Sequence, residues 1–393
     1  MSSRLIGTVA RGLRAPIVHE GDDLTTLVTE AVLNAACTEG VILHHSDILG
    51  VTESVVARAQ GNYATVDQVA ADVRAKFPGG TIGLFAPLYS RRRFGGILRG
   101  IARGAQHLVI QLPWPRDERG KVVVDEERAL TLGLDPFSCV LNEADFVEKL
   151  GRPVSGETGA DYLTYYRTIV EEEGATVEFL FGFPPAALLE RTPHVLCCAV
   201  HRRQWFVQLL HRAGAETVLT LADLLNAPVN GSGYNPEYGL LGSNWAGPER
   251  LKLFPRDCDA FCRGLQQSLK ARTGVSMEVL VYGDGSFKDP VGGLWELSDP
   301  VVCPGCTDGL KTARRREVKL KYLAERMPDP HPESVITEAI TELERAPHRF
   351  DVLATPARRL TDLVGSLCDL TSGSGDKGTP IVLIQGYLDS YLD

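Results

Sequence analysis

The sequence predicts a mixed α/β protein, and three observations support that prediction. Apolar strand-like runs alternate with helical stretches through the middle of the chain, which is typical of a parallel α/β sheet. A further apolar run at residues 279–282 is followed by a turn rich in glycine and aspartate. With 393 residues, 44% of them hydrophobic and 23% charged, the chain is long enough to bury more than one core.

Three blocks follow one another along the chain. Residues 1–78 contain a predicted helix at 24–36, capped by aspartate, and then a strand-turn-helix unit at 40–61. Residues 79–228 carry the α/β pattern, and residues 229–393 mix strands, helices and glycine-rich loops. The strand candidates of the middle block are residues 81–86, 107–112, 176–181, 194–200 and 217–221, and its helix candidates are 93–105 and 203–213.

Composition and charge restrict the classes of function. The net charge of −9 and the pI near 5.6 argue against nucleic acid as a partner. The first residues lack a hydrophobic signal region and no run of about 18 apolar residues occurs, so no membrane association is expected and the cytoplasm is the expected location. Nine scattered cysteines indicate reduced thiols. The single CxxC, Cys303–Cys306, is interpreted as a chance spacing, because a zinc site needs further ligands and a redox role needs a thioredoxin-like context.

The turn after residues 279–282 presents oxygen ligands at the end of a strand. Asp284, Ser286 and Asp289 lie within six residues of one another. Carboxylate and hydroxyl oxygens are the ligands that Mg²⁺ and Mn²⁺ prefer. The segment therefore predicts a divalent metal site, although Asp-Gly is also ordinary turn chemistry after a strand.

A basic cluster in the middle block is open to two interpretations. Arg91, Arg92 and Arg93 precede a helix that carries Arg99 and Arg103, with glycines at every fourth position. The arginines are candidates for an anion pocket that takes a phosphorylated or polycarboxylate substrate. The alternative is a solvated basic face whose glycines permit close helix packing.

Several motifs occur in an order that is similar to a known family. They are Gly-Asp-Asp-Leu at 21–24, the polar helix start at 51–61, Asn-Pro-Glu-Tyr-Gly-Leu-Leu-Gly-Ser-Asn at 235–244, Leu-Phe-Pro-Arg-Asp at 253–257, Gly-Asp-Gly-Ser-Phe at 283–287 and the glycine-rich loop and strand at 375–386. Together they resemble the coenzyme F420-0:L-glutamate ligase family over residues 5–78 and 229–393. The resemblance implies a discontinuous ligase-like domain interrupted by an inserted α/β domain at 79–228.

The resemblance also implies an activity and its requirements. The family uses GTP and a divalent metal, Mg²⁺ or Mn²⁺, to convert a carboxylate of a cofactor precursor into an acyl phosphate, which the amine of glutamate displaces. It also implies a homodimer. Carried over by motif, the expected nucleotide-binding residues are Arg14, Ala15, Pro16, Ile17, Ser54, Arg58, Asn244, Ser372, Gly373, Ser374, Gly375, Asp376, Lys377, Gly378 and Thr379. The expected metal ligands are Asp284, Ser286, Glu237, Asp289 and Asp376.

The sequence departs from the family pattern at several positions. Leu241 stands where the family has an aspartate three residues before the asparagine, and Glu237 is the candidate replacement. Arg58 stands where a lysine is usual, and Ser374 where the late loop has a longer polar ligand. The differences leave the acceptor carboxylate open. They also keep two alternatives: a nucleotide-binding protein without turnover, and a metal-dependent enzyme acting on a different phosphorylated substrate.

Overall fold

The computed structural model describes most of the chain and confirms the mixed α/β class. The described residues are 6–90, 94–117, 120, 122–154, 159, 161–200, 202–283, 286–288, 295–297, 303–312, 325, 338–339, 341–342, 359–372 and 378–389. The strands are β1 Val9–Leu13, β2 Ile48–Thr52, β3 Tyr63–Thr65, β4 Thr81–Phe85, β5 His107–Leu112, β6 Leu141–Asn142, β7 Thr176–Phe181, β8 His194–Cys197, β9 Thr217–Thr220, β10 Asn244–Trp245, β11 Arg250–Lys252, β12 Glu278–Tyr282, β13 Ser286–Lys288, β14 Trp295–Leu297, β15 Gly305–Cys306 and β16 Ile381–Gln385.

The helices alternate with these strands along the chain. They are α1 Leu24–Glu39, α2 Glu53–Ala59, α3 Val66–Lys76, α4 Phe94–Gly104, α5 Glu126–Thr131, α6 Glu143–Leu150, α7 Tyr162–Glu172, α8 Ala186–Leu189, α9 Arg203–Arg212, α10 Cys258–Thr273, α11 Asp308–Thr312 and α12 Leu360–Ser372, with a 3₁₀ turn at Leu221–Asp223. None of the helices among the described residues is long and apolar enough to cross a membrane.

The predicted parallel sheet forms from the middle of the chain. Its strand order is β6-β7-β5-β4-β8-β9, and only β6 runs antiparallel to its neighbour. All five predicted strands of the middle block and both of its predicted helices are therefore confirmed. The glycines of α4 allow α3 to pack closely, because a Cβ at Gly100 would lie 2.5 Å from Val69 Cγ1 and one at Gly104 would lie 2.7 Å from Val73 Cβ.

A second, five-stranded mixed sheet combines the two ends of the chain. Its order is β1-β16-β2-β12-β15, in which β2 and β12 are parallel and the other pairs are antiparallel. Helices α1 and α10 cover one face with an apolar core that includes Val28 and Leu265, and α12 covers the other through Val364 and Cys368. Two small sheets complete the fold, with orders β10-β11-β3 and β13-β14.

Of the elements predicted for the first block, the strand at 40–43 does not form and the aspartate cap of α1 does. The apolar run at 40–43 is not a strand, because Gly40 has φ 64° and forms the left-handed C-cap of α1. The predicted aspartate cap of α1 is confirmed, since Asp23 accepts a hydrogen bond from the Thr26 amide at 3.2 Å. The boundaries at 78 and 228 stay predictions. Ala64 and Leu251, which lie outside them, share one core with the six-stranded sheet.

Helix α3 begins with a complete capping box at Thr65. The Thr65 hydroxyl accepts a hydrogen bond from the Gln68 amide at 3.2 Å, and the Gln68 side chain accepts one from the Thr65 amide at 2.8 Å. We expect Thr65→Ala to lower the free energy of unfolding by about 1 kcal/mol. Urea denaturation measures this loss, and Thr65→Ser, which keeps the hydroxyl, is the matched control. Equal loss in both variants would assign the effect to packing of the Thr65 methyl group.

Candidate functional site

One edge of the five-stranded sheet collects four separate parts of the chain. In the register of the sheet, Leu13 lies opposite Ile381, Val51 also lies opposite Ile381, and Thr52 lies opposite Tyr282. The carboxyl ends of β1, β2 and β12 therefore meet the amino end of β16. We call this the site edge, defined by Leu13, Thr52, Tyr282 and Ile381. Residues that follow or precede these four positions are brought to the same place.

Backbone contacts fix the loops at the site edge. The Ala15 amide donates to the Gly378 carbonyl at 3.1 Å, and the Thr52 amide donates to the Pro380 carbonyl at 3.0 Å. The Thr379 hydroxyl donates to the Ser372 carbonyl at 2.9 Å, so the two described residues are in direct contact. The structure thus places the segment after β1 against the residues that precede β16.

Helix α2 starts at the site edge, directly after β2. Its first residue, Glu53, is 5% exposed and accepts a hydrogen bond from Lys252, which is 7% exposed, at 2.6 Å. Ser54 is half-buried beside it, and Arg58 is exposed in the last turn of the helix. Lys252 pairs with Asn244 across the β10–β11 ladder. This buried ion pair therefore connects the strand of Asn244 to the site edge.

Two buried asparagines hold the segment that leads to Asn244. Asn62 donates to the Phe254 carbonyl at 2.6 Å and accepts from the Tyr234 amide at 3.0 Å. Asn235 donates to the Pro255 carbonyl at 3.0 Å and accepts from the Glu237 and Tyr238 amides at 2.9 and 2.8 Å. Because buried backbone groups are costly to leave unbonded, these amides position the segment firmly.

A groove of about 1300 Å³ runs along α1 and the outer strand β1. Arg14, Ala15 and Pro16 line it together with Glu30, Asn34 and His44. Arg14 and Ile17 are exposed where the chain leaves β1. The expected first nucleotide contacts are therefore accessible at one end of a groove large enough for a small-molecule ligand.

The comparison with known families agrees with this arrangement. The sequence model of the family described as F420-0:Gamma-glutamyl ligase matches residues 12–386, which is nearly the whole chain. The chain belongs to the F420-0:gamma-glutamyl ligase family. Members of this family are enzymes that form amide bonds, and the family description implies glutamate and F420-0 as their substrates. No curated protein matches the sequence at a significant level.

The departure at Leu241 from the F420-0:gamma-glutamyl ligase pattern has a structural basis. Leu241 is 1% exposed and belongs to the core of the six-stranded sheet. Together with Leu88, Phe94, Ile97, Cys198 and Leu240 it surrounds a small cavity of about 30 Å³. Glu237, the candidate replacement ligand, is exposed, and its carboxylate hydrogen-bonds with Tyr238. At position 241 this ligase therefore has a packing residue and not an oxygen ligand.

Several expected site residues lie outside the described residues. They are Asp284, Asp289, Gly373, Ser374, Gly375, Asp376, Lys377, Arg91, Arg92 and Arg93. Ser286 is in β13, opposite Leu297. Gly283, which precedes Asp284 in the sequence, directly follows the carboxyl end of β12. Among the described side chains, no group of three or more His, Cys, Asp or Glu residues could hold a metal ion.

The arginines of α4 are bound by carboxylates of the protein. Arg99 contacts Glu172 at 2.8 Å, and Arg103 contacts Glu173 at 2.6 Å and Glu249 at 2.7 Å. The hydrogen bonds with Glu173 and Glu249 raise the pKa of Arg103 above its usual value. The anion-pocket interpretation therefore fails for these two arginines, because protein carboxylates already neutralise them.

Sequence reasoning overlooked the Glu53–Lys252 pair. A usable signal was present, because Lys252 lies in the apolar run Leu251-Lys-Leu-Phe254, where a lysine is unusual unless it is paired. Its partner is 199 residues away in the sequence and could not be identified from spacing.

Proposed function

We propose that this ligase uses GTP and a divalent metal, Mg²⁺ or Mn²⁺, to activate a substrate carboxylate and join it to the amine of glutamate. The observation that carries the proposal is the site edge, where three segments with expected nucleotide contacts meet the carboxyl end of β12, which precedes the expected metal ligands. Phosphoryl transfer depends mainly on positioning and on neutralising charge. Near the site edge the exposed Arg14 offers positive charge and the half-buried Ser54 offers a hydroxyl, while the hydrogen bonds of the Ala15 and Thr52 amides position the backbone.

The proposed reaction has two displacement steps. A carboxylate oxygen of the acceptor attacks the γ-phosphorus, the bond to the bridging oxygen breaks, and GDP leaves. The amine nitrogen of glutamate then attacks the acyl phosphate carbon, phosphate leaves, and the surplus amine proton passes to solvent. In this scheme, Arg14 and the amides around Gly378 contact the phosphates, and Ser54 and Asn244 orient the nucleotide.

The candidate metal ligands carry hard oxygen atoms, which suit a divalent cation. Asp284, the residue after Gly283, would hold the ion with Ser286, Asp289 and Asp376 as further candidates, while Glu53 is already bonded to Lys252. When bound, the ion would neutralise charge on the phosphate oxygens.

We further propose a homodimer. Its support is β1, which has a neighbouring strand on one side only among the described residues and lies near the exposed Ile17.

Nucleotide binding tests the proposal directly. We expect calorimetric titration with GTP to show binding that strengthens when Mn²⁺ is present, and to show weaker binding of ATP. Asp284→Asn should remove the metal-dependent part of the affinity, because it deletes one ligand charge. Asp135→Asn, in a turn after α5 and outside the site edge, is the matched control. Unchanged metal-dependent affinity in Asp284→Asn would place the metal elsewhere.

Ligase turnover is tested separately from nucleotide binding, because Leu241 occupies a position where the resemblance implies a metal ligand. A nucleotide-binding protein without ligase turnover remains the second candidate, and the buried Leu241 at a ligand position favours it. Phosphate release with GTP, Mn²⁺, glutamate and F420-0 distinguishes the two. Release that depends on the acceptor supports the ligase, whereas nucleotide binding without acceptor-dependent release supports the second candidate.

A further inference from the structure

The strand that carries Asn244 belongs to a short hairpin with two different faces. In the β10–β11 ladder, Asn244 lies opposite Lys252 and Trp245 lies opposite Leu251. Directly opposed residues of antiparallel strands share a face, and successive residues alternate between faces. Asn244 therefore shares a face with Lys252, whose ammonium binds Glu53 at the site edge. Trp245 and Leu251 form the opposite face.

This opposite face packs on helix α4 of the middle block. A Cβ at Gly96 would lie 2.7 Å from Trp245 Cε2 and 2.9 Å from Leu251 Cδ2, so both side chains rest against the helix at this glycine. Carbon atoms pack best at about 3.5–4.0 Å, and both distances therefore mean overlap. Leu251 is completely buried here and Trp245 is half-buried. The absence of a side chain at position 96 is what leaves room for the indole ring.

Polar contacts hold the turn of the hairpin to the same part of the fold. Glu249, in this turn, accepts a hydrogen bond from Arg103 at 2.7 Å, and its other carboxylate oxygen lies 3.6 Å from Arg99. The Glu249 carbonyl accepts a hydrogen bond from the amide of Val66, the first residue of α3, at 3.1 Å. The hairpin is therefore bound to α3 and α4 by its turn as well as by its apolar face.

The Asn244 side chain depends on the hairpin for its position. Its amide donates to the Gly242 carbonyl at 3.4 Å, which is long for a hydrogen bond, and it makes no second side-chain hydrogen bond to the described part of the chain. The location of Asn244 is therefore set by the strand, which Lys252 holds on one face and Trp245 holds on the other.

We propose that Trp245 is a positioning residue for nucleotide binding, because its packing on Gly96 fixes the strand that carries Asn244. The middle block thereby acts on the nucleotide site through the hairpin. This inference rests on the proposed role of Asn244 in nucleotide binding, and it extends that role to a helix outside the two ligase-like segments.

Gly96→Ala alters this packing by a single methyl group. The methyl carbon overlaps the indole ring, so that Trp245 and the adjacent Asn244 must move, although alanine is otherwise favourable within a helix. We expect the Kd for GTP in the presence of Mn²⁺ to rise at least about fivefold. Calorimetric titration of the full chain measures this rise, and urea denaturation shows that the variant is folded.

Gly100→Ala is the matched control on the same helix. A Cβ at Gly100 would lie 2.5 Å from Val69 Cγ1, so this variant also overpacks α4, but against α3 and not against the hairpin. Its Kd for GTP should stay within about twofold of the parent value. A rise of similar size in both variants would assign the effect to general strain in α4 and overturn the proposal.

A compensating substitution on the hairpin separates positioning from an unrelated defect. Trp245→Val removes the ring carbons that the new methyl group meets and keeps a residue suited to a strand. In a double-mutant cycle, the combination of Gly96→Ala with Trp245→Val should bind GTP more tightly than Gly96→Ala alone. Losses of affinity that simply add would contradict the proposal.

The positioning role and the proposed function fail in different ways. If the parent chain binds GTP and Gly96→Ala changes the Kd by less than about twofold, the positioning role is wrong and the proposed function stands. If the parent chain binds no GTP, the proposed function fails, and the positioning role fails with it.

Discussion

Leu241→Asp should unfold this protein or lower its free energy of unfolding by at least about 4 kcal/mol. The substitution introduces the aspartate that the motif resemblance implies at this position, yet Leu241 is 1% exposed among apolar side chains such as Phe94 and Ile97. The loss combines the removal of a buried leucine with the burial of a carboxyl group. Urea denaturation followed by circular dichroism measures it.

A volume-conserving variant separates polarity from packing at this position. Leu241→Met should cost less than about 1.5 kcal/mol, because it keeps the volume and the apolar character. If Leu241→Asp were as stable as the parent and also bound Mn²⁺ more tightly, position 241 would be a metal position and our description of it as core would be wrong.

Lys252→Met should lower the free energy of unfolding by about 3–5 kcal/mol. Lys252 and Glu53 are both nearly completely buried and lie 2.6 Å apart. Removal of the lysine leaves the Glu53 carboxylate buried without its compensating cation, which is the costly way to break a buried ion pair. The same change should weaken GTP binding, since it loosens the connection between Asn244 and the site edge.

Two comparisons make this prediction specific. Adding Glu53→Gln to Lys252→Met should recover a large part of the lost stability, because it removes the buried charge. Arg272→Met breaks a surface pair with Glu30, in which the side chains are 52% and 46% exposed, and should cost less than about 1 kcal/mol. Similar losses in Lys252→Met and Arg272→Met would mean that the buried pair contributes no more than a surface pair.

Local patterns of the sequence were sufficient for the strands and helices of the middle block. The run at 107–112 is apolar on both faces because it becomes a central strand covered by helices. The segments at 81–86 and 176–181, which form the strands on either side of it, show the same apolar pattern. The run at 40–43 misled the prediction, because short apolar segments also occur in coil that follows a glycine cap.

The assembly of the site edge could not be predicted from sequence patterns. Motifs indicated which segments matter, but only the register of the sheet shows that the residues after Leu13 and Thr52 meet those before Ile381. The cysteine pairs illustrate the same limit. Cys258 and Cys262 lie on α10 beside the turn of Cys303–Cys306, but their helical spacing in the sequence does not indicate that contact.

The position of β16 has a consequence for how the protein is made. β16 lies between β1 and β2 and pairs with both, yet it leaves the ribosome after every other described strand of that sheet. Until it is added, β1 has no neighbour in this sheet and β2 exposes one unpaired edge, which is a template for aggregation. The sheet can therefore be completed only after Gln385 has been translated. During synthesis, the edge of β2 that later pairs with β16 therefore stays open to other chains until β16 has been made.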